Sequence, residues 1–299
     1  MIPLLVVVSG PTAVGKTAVS VFIAQNLKCP VISGDSRQFY RELVIGTARP
    51  SQEELKKVEH HFIGHLSVND YYNVSRFEQD VIQLFEKKII NTPVALLTGG
   101  SGLYTDSVCN GIDDMPDPDT ELRRKLISIY DEQGAEYFTD ILKNNDPDTY
   151  IKIDLKNKNR LIRAVETIML TNKTLGEIRK GKSSPRPFRI LKIALNIPRT
   201  ELYERINIRV DEMMKEGLEK EARELYPLRH LNALNTVGYK ELFEHFDGKI
   251  TLEAAIEKIK SSTRKYARRQ LTWLRRDKDY KWFHPDQKEE ILSLIEISL

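Results

Sequence analysis

The segment Gly10-Pro11-Thr12-Ala13-Val14-Gly15-Lys16-Thr17 satisfies the pattern G-x-x-x-x-G-K-[ST]. Glycines at its two ends let the backbone curl until several N–H groups point at one centre. Lys16 adds a positive charge, Thr17 offers a hydroxyl to Mg²⁺, and a helix starting here adds a field that favours an anion. Such a set grips a polyphosphate or a diphosphate. A chance match in a glycine-containing turn is the bland alternative. Its placement directly between a branched apolar run, Leu4–Ser9, and a helically spaced one, AVSVFIAQNL, argues against it.

The same motif in a nucleotide kinase comes with a strand ending in an acid that holds the metal. Here the run 94–98 ends instead in Gly99-Gly100-Ser101. The acid follows the second strand, as Asp35 in GDSRQFY. In an open α/β sheet that position faces the ligand crevice. A carboxylate there can hold Mg²⁺ through water or act as a general base, and its structural alternative is a turn or helix-cap Asp.

A third signal lies at 261–282. At about 100° per residue, Arg264, Lys265, Arg268, Arg269, Arg275 and Arg276 fall within an arc of about 140°. Tyr266, Ala267, Leu271, Trp273 and Leu274 lie opposite. The planar fork of Arg suits phosphate, so the stripe reads as a nucleic-acid face, against the plain alternative of a solvated helix surface. Arg160 and Arg163 in NRLIRAVE stand one turn apart. Arg205 and Arg209, at i and i+4, could be plain helix-face charges paired with Glu201 or Glu212. His60, His61 and His65 lack an acid or Cys at ligand spacing and read as loop packing, not zinc. Trp273, Trp282 and Tyr71-Tyr72 read as core or loop anchors.

The elements that must position these groups follow from the apolar pattern. Short apolar strands alternating with helices up to about residue 110 indicate a parallel α/β sheet covered on both faces. After DDMPDPDT only helical spacing appears, at 120–133, 135–144 and 159–170. SSPRP at 183–187 breaks it, 189–197 is strand-like again, and helices are expected at 200–226, 238–246 and 251–276. The expected organisation is a P-loop α/β core, 1–115 and 189–299, interrupted by an all-helical insertion at 116–188. The chain of 299 residues is 40% apolar, enough for sizeable cores. Its net charge of +3 hides a division: the first 150 residues carry 14 Lys+Arg against 21 Asp+Glu, the remainder 32 against 22. A basic half fits a polyanionic partner. With two cysteines outside any CxxC pair, no apolar run of membrane-spanning length and no signal-peptide pattern, the expectation is a cytoplasmic protein without disulfides. No heptad seam supports a coiled-coil dimer, so a monomer is expected.

Taken in order, GPTAVGKT, GDSRQFYRELVIGTARP, LLTGGSGLY, NRLIRAVE, TVGYKE and TRKYARRQLTWLR resemble the bacterial tRNA dimethylallyltransferases, or tRNA isopentenyltransferases. The resemblance implies a P-loop NTPase-like parallel-sheet core with a helical insertion. It implies Mg²⁺-dependent transfer of a dimethylallyl group from dimethylallyl diphosphate to N6 of the adenosine 3′-adjacent to the anticodon, in tRNAs reading codons that begin with U. By motif, Asp35 is the general base, and Ser36, Arg37 and Gln38 lie against the flipped adenine and its neighbours. Thr12 through Thr17 hold the diphosphate, with Lys16 stabilising it as it leaves, Thr17 on the metal and Arg209 close by. Ser101 stands near the reacting centre where most relatives have Thr. Arg123, Asn159, Arg160, Arg163 and the stripe Arg264, Arg268, Arg269, Arg275 and Arg276 meet the tRNA anticodon stem-loop. The rival readings are a nucleotide or small-molecule kinase with a helical lid, and a nucleotide-gated RNA-binding protein without catalysis.

Overall fold

A computed structural model describes residues 2–113, 115–179 and 185–299. In chain order the elements up to the insertion are β1 (Leu4–Ser9), α1 (Lys16–Leu27), β2 (Val31–Ser33), α2 (Gln52–Lys57), β3 (His60–His61), α3 (Val74–Glu86), β4 (Val94–Gly99) and α4 (Gly102–Asn110). The insertion holds α5 (Thr120–Gln133), α6 (Glu136–Asn145), α7 (Pro147–Lys152), α8 (Lys158–Thr171) and α9 (Leu175–Ile178). The chain then forms β5 (Arg189–Leu195), α10 (Arg199–Glu216), α11 (Leu218–Leu225), α12 (Tyr239–Phe246), α13 (Leu252–Leu274), β6 (Lys281–Phe283) and α14 (Lys288–Ser298). Two compact units result, Met1–Cys109 with Pro185–Leu299, and Asn110–Ser184.

The larger unit is built on six strands in the order β3-β2-β4-β1-β5-β6, every pairing parallel. The central strand β1 is LLVVVS and is buried along its whole length. Its side chains alternate between faces: Leu5 and Val7 join one core with Ile32, Phe77 and Leu97, while Leu4, Val6 and Val8 join another with Ile23, Leu96 and Ile193. Because both faces are covered, the strand is uniformly apolar. The loops after β1, β2 and β4 open at the carboxyl edge, where such sheets place their ligands.

The insertion has its own core, in which Leu126, Phe138, Leu142, Leu161 and Val165 are almost fully enclosed. Its helices are sharply capped: Asp119 accepts from the Glu121 and Leu122 amides (2.9 and 2.7 Å), and Asp146 caps α7 through the Thr149 amide (3.1 Å). No helix among the described residues is long and apolar enough to cross a membrane.

Three local expectations change. His60 and His61 are not loop packing; they form the edge strand β3 beside Val31 and Ile32. The helix expected over 200–226 is two helices divided at Gly217, whose φ of 104° closes α10 in the left-handed region. The last basic helix stops at Leu274, so Arg275 is its C-cap and Arg276 lies beyond it. The edge strands of two and three residues are too short to show any periodicity.

Candidate active site

The anion-binding turn has the backbone its sequence demands. Gly15, at φ 103°, occupies a left-handed conformation immediately before α1, and Ala13 is held at φ 65°. A Cβ on Gly10 would sit 2.9 Å from the Leu195 carbonyl oxygen, so only glycine fits there. Lys16 Nζ folds over the turn and donates to the Gly10 and Pro11 carbonyls at 3.0 and 2.8 Å. Burial pushes its pKa down to about 8, Asp35 opposes the shift and the nearby Arg209 adds to it.

Asp35 follows β2, where the Gly34 amide donates to the Thr98 carbonyl (2.7 Å) and ties this loop to β4. One of its carboxylate oxygens accepts from the Arg37 amide (3.0 Å). The same side chain lines two cavities. The smaller, about 40 Å³, also meets Lys16, Thr17, Ser20, Gln38 and His60. The larger, about 120 Å³, has Thr12, Arg37, Arg209, Thr263 and Tyr266 on its polar walls. Apart from Thr47 and Thr236 the rest of its lining is mainly apolar, with Ile206, Val210, Met213, Leu218 and Ile259. That is about ten times the space one water needs.

Three further contacts shape this centre. The Ser36 amide donates to Ser101 Oγ (3.2 Å), and the two hydroxyls are also 3.2 Å apart. Arg209, nearly buried, donates to Thr12 Oγ1 at 3.5 Å, whereas Arg205 pairs with Glu201 at 2.7 Å. This separates two arginines that the sequence left equivalent. Tyr266 lies on the wall of the larger cavity beside Asp35; burial first, and Asp35 second, raise its pKa to about 12.

Some expected contact residues are committed within the protein. Arg37 donates to the Asn232 and Ala233 carbonyls (3.0 and 3.1 Å). Gln38 accepts from Ser33 Oγ (3.1 Å) and donates to the Thr47 and Ala48 carbonyls (3.3 and 3.2 Å). Arg264 donates to Asn207 Oδ1 at 2.5 Å. In the insertion, Arg123 and Arg163 both grip Glu166, which is 0% exposed, and Arg163 also donates to the Pro116 carbonyl. An acid so buried needs both partners, so these two arginines are structural first. Asn159 and Arg160 remain exposed on α8, and Arg268, Arg269, Arg275 and Arg276 on or just past α13. Arg276 lies over the Trp273 ring at 5.3 Å.

Sequence reasoning missed Gln270. Only 7% exposed, it accepts from the Thr12 amide and donates to the Gly100 carbonyl, both at 2.8 Å. Trp273, one turn on, donates to Asp106 (2.8 Å) and packs on Gly102 so closely that a Cβ there would lie 2.4 Å from its ring. The signal was the RQLTWLR block itself, read for its arginines and not for the amide between them.

Hard oxygen donors converge at the smaller cavity: the Thr17 hydroxyl, the Asp35 carboxylate and Ser20 Oγ, which is buried without a partner. They suit a hard divalent cation. Among the described residues no three His, Cys, Asp or Glu side chains gather into a self-sufficient metal cage. A metal here would therefore draw its remaining ligands from water and a bound phosphate.

Fold and site together define a P-loop α/β enzyme whose cradle opens onto an apolar cavity. The chain belongs to the IPP transferase family, whose profile matches residues 38–277. It is 50% identical to tRNA dimethylallyltransferase 1 of Bacteroides fragilis over 295 residues, 99% of this chain and 98% of that one. Among solved structures it is similar to the full-length tRNA isopentenylpyrophosphate transferase of Bacillus halodurans, with TM-score 0.70, 35% identity and coverage of 99% and 96%. A eukaryotic dimethylallyltransferase solved acting on tRNA gives TM-score 0.73 at 26% identity, covering 91% of this chain and 70% of that one.

Proposed function

We propose that this protein transfers a dimethylallyl group from dimethylallyl diphosphate to N6 of the adenosine 3′-adjacent to the anticodon, in tRNAs that read U-starting codons, and releases diphosphate. The observation that carries this reading is the position of Asp35, whose carboxylate faces the Lys16 cradle on one side and the apolar cavity on the other.

The adenine amine is a weak nucleophile because its lone pair is delocalised into the ring, whereas an allylic C1 bears positive charge well. The transition state accordingly has advanced C–O cleavage. The new bond joins N6 to C1, the C1–O bond breaks towards diphosphate, and the amine proton passes to Asp35. Lys16, Arg209 and the amides of Thr12 to Thr17 stabilise the leaving anion. Thr17, with Ser20 and Asp35 beside it, would hold a Mg²⁺ ion, which would neutralise charge on that diphosphate. The paired hydroxyls of Ser36 and Ser101, and the Tyr266 hydroxyl on the cavity wall, meet the entering adenine, with Arg37 and Gln38 bracing the loop behind it. Extruding the base costs a few kcal/mol, which phosphate contacts from Arg160 and from Arg268, Arg269, Arg275 and Arg276 offset.

A phosphoryl-transferring kinase is the weaker reading, since β4 ends in Gly99-Gly100-Ser101 with no acid to hold a nucleotide's metal. Action in a reducing, cytoplasmic compartment accords with a chain whose cysteines are free and buried. The decisive experiment incubates unmodified tRNA, dimethylallyl diphosphate and Mg²⁺ with the protein. Mass analysis of nucleosides is expected to show one prenyl unit gained on adenosine; a phosphorylated product, or none, rejects the reading.

A further inference from the structure

The segment TVGYKE, residues 236–241, takes no part in gripping the diphosphate or moving the amine proton, yet Thr236, Val237 and Gly238 all line the larger cavity. Tyr239, next in line, opens α12 and is 0% exposed. Its hydroxyl donates to Glu221 Oε1 on α11 at 2.6 Å. Burial first, and the Glu221 carboxylate second, raise the pKa of this phenol, so it stays a donor.

Glu221 gathers more than Tyr239. Its Oε2 accepts from the Val44 and Ile45 amides at 3.1 and 2.9 Å, and its Oε1 accepts from the Gly46 amide at 3.0 Å besides the phenol. Each oxygen thus takes two donors, which a carboxylate can do and a side-chain amide cannot. The Tyr239 ring lies so near Gly46 that a Cβ there would sit 2.6 Å from it. From the other side, Gln38 donates to the Thr47 and Ala48 carbonyls. Between these anchors Ala48 is held at φ 44°, a left-handed conformation that a residue with a side chain keeps only under restraint.

The residues so fastened form one side of the larger cavity. Gly46 and Thr47 line it, as does Leu218 on the same helix as Glu221. One carboxylate therefore joins three stretches of a single wall, 44–47, 218–221 and 236–239. Opposite them stand Ile206, Val210 and Met213 of α10 and Ile259 of α13. Helical walls keep their shape through their own hydrogen bonds. The stretch 44–47 is a loop, and its place depends on what holds it from outside.

We propose that Glu221 and Tyr239 are positioning residues that fix the loop wall of this cavity and thereby restrict the isoprenoid donor to a single dimethylallyl unit. This role deepens the prenyl-transfer reading and rests on it, with the hydrocarbon of the diphosphate lying in the apolar cavity beside the Lys16 cradle. With the wall drawn in, about 120 Å³ is open to that chain. A geranyl chain, one isoprene unit longer, has to push 46–47 aside. A wall that cannot retreat turns the extra carbons into a clash, whereas one that can retreat accommodates them.

The test compares kcat/KM for dimethylallyl and geranyl diphosphate, with unmodified tRNA and Mg²⁺, in the unmutated protein, Glu221→Gln and Tyr239→Phe. The unmutated protein is expected to favour dimethylallyl strongly. In Glu221→Gln the new amide nitrogen faces N–H or O–H donors, and the preference is expected to fall about tenfold or more, mainly through a lower KM for geranyl diphosphate. Tyr239→Phe removes the phenol and leaves the three backbone donors, so a smaller loss in the same direction is expected. A contact that merely stabilises the fold would lower both rates together, so an unchanged ratio in the variants overturns the assignment. Should thermal unfolding show that Glu221→Gln does not fold, Tyr239→Phe decides by the same ratio. Equal use of both donors by the unmutated protein also overturns it while leaving prenyl transfer intact. Transfer of neither donor removes the prenyl-transfer reading, and this role with it.

Discussion

Thr12 and Gln270, 258 residues apart, are joined by a 2.8 Å hydrogen bond from the Thr12 amide to the Gln270 side-chain oxygen. The Gln270 side-chain nitrogen donates in turn to the Gly100 carbonyl. One buried side chain thus holds the anion-binding turn in register with the loop that carries Ser101. Substitution Gln270→Ala leaves a part-buried N–H and a part-buried C=O without their partner, each at up to about 1–3 kcal/mol. The expected result is a lower melting temperature and a kcat/KM reduced more than tenfold, read by calorimetry and steady-state kinetics. Full activity in a normally folded variant would show that the loops align without it.

Asp35→Asn keeps an acceptor for the Arg37 amide while removing the base. In single-turnover prenyl transfer the rate is expected to fall by a factor on the order of 10² or more, with tRNA affinity little changed. An unaltered single-turnover rate rejects Asp35 as proton acceptor.

Lys16 fixes a pH dependence. Its pKa in the free protein is lowered to about 8 from 10.5, and a bound diphosphate favours the protonated form. Below pH about 8 the ammonium is already present. Above it, binding must take up a proton, so diphosphate affinity falls by up to tenfold per pH unit. Titrations in two buffers of different ionisation enthalpy, corrected for the ligand's own protons, should show this uptake at alkaline pH. For folding the sign reverses: the buried ammonium opposes the fold below about 8, and that penalty fades as pH rises between 8 and 10.5.

Glu166 in the insertion is fully enclosed between Arg123 and Arg163. Glu166→Ala strands two partly buried guanidinium groups and is expected to destabilise this unit by about 3–5 kcal/mol. Differential scanning calorimetry checks it. A loss under about 1 kcal/mol would mean the arginines find solvent or other partners without the acid.

The exposed arginines make a separate claim. Removing Arg269 and Arg276 together should weaken tRNA binding and reduce the slope of log K against log salt by about 2, one unit per phosphate contact. A slope that does not move places the RNA elsewhere.

What the sequence determined by itself was whatever depends on neighbours along the chain. The turn from Gly10 to Thr17 declares its backbone through residue type, β1 and β4 declare burial on both faces through unbroken apolar runs, and the helical stretch after DDMPDPDT declares an insertion by its change of period. Asp35 could be placed at the sheet's carboxyl edge because the strand before it could be read. The tertiary structure alone decided which of two equivalent arginines reaches the cradle, with Arg209 meeting Thr12 and Arg205 turned to Glu201. It also decided that Arg123 and Arg163 serve a buried acid, that Gln270 clasps two loops, and that Glu221 gathers the amides of Val44, Ile45 and Gly46. The reason is physical: a charged or amide side chain of several rotatable bonds has many partners of similar energy available locally. Only the packing of distant segments removes water from one of them and makes that partner the one that counts.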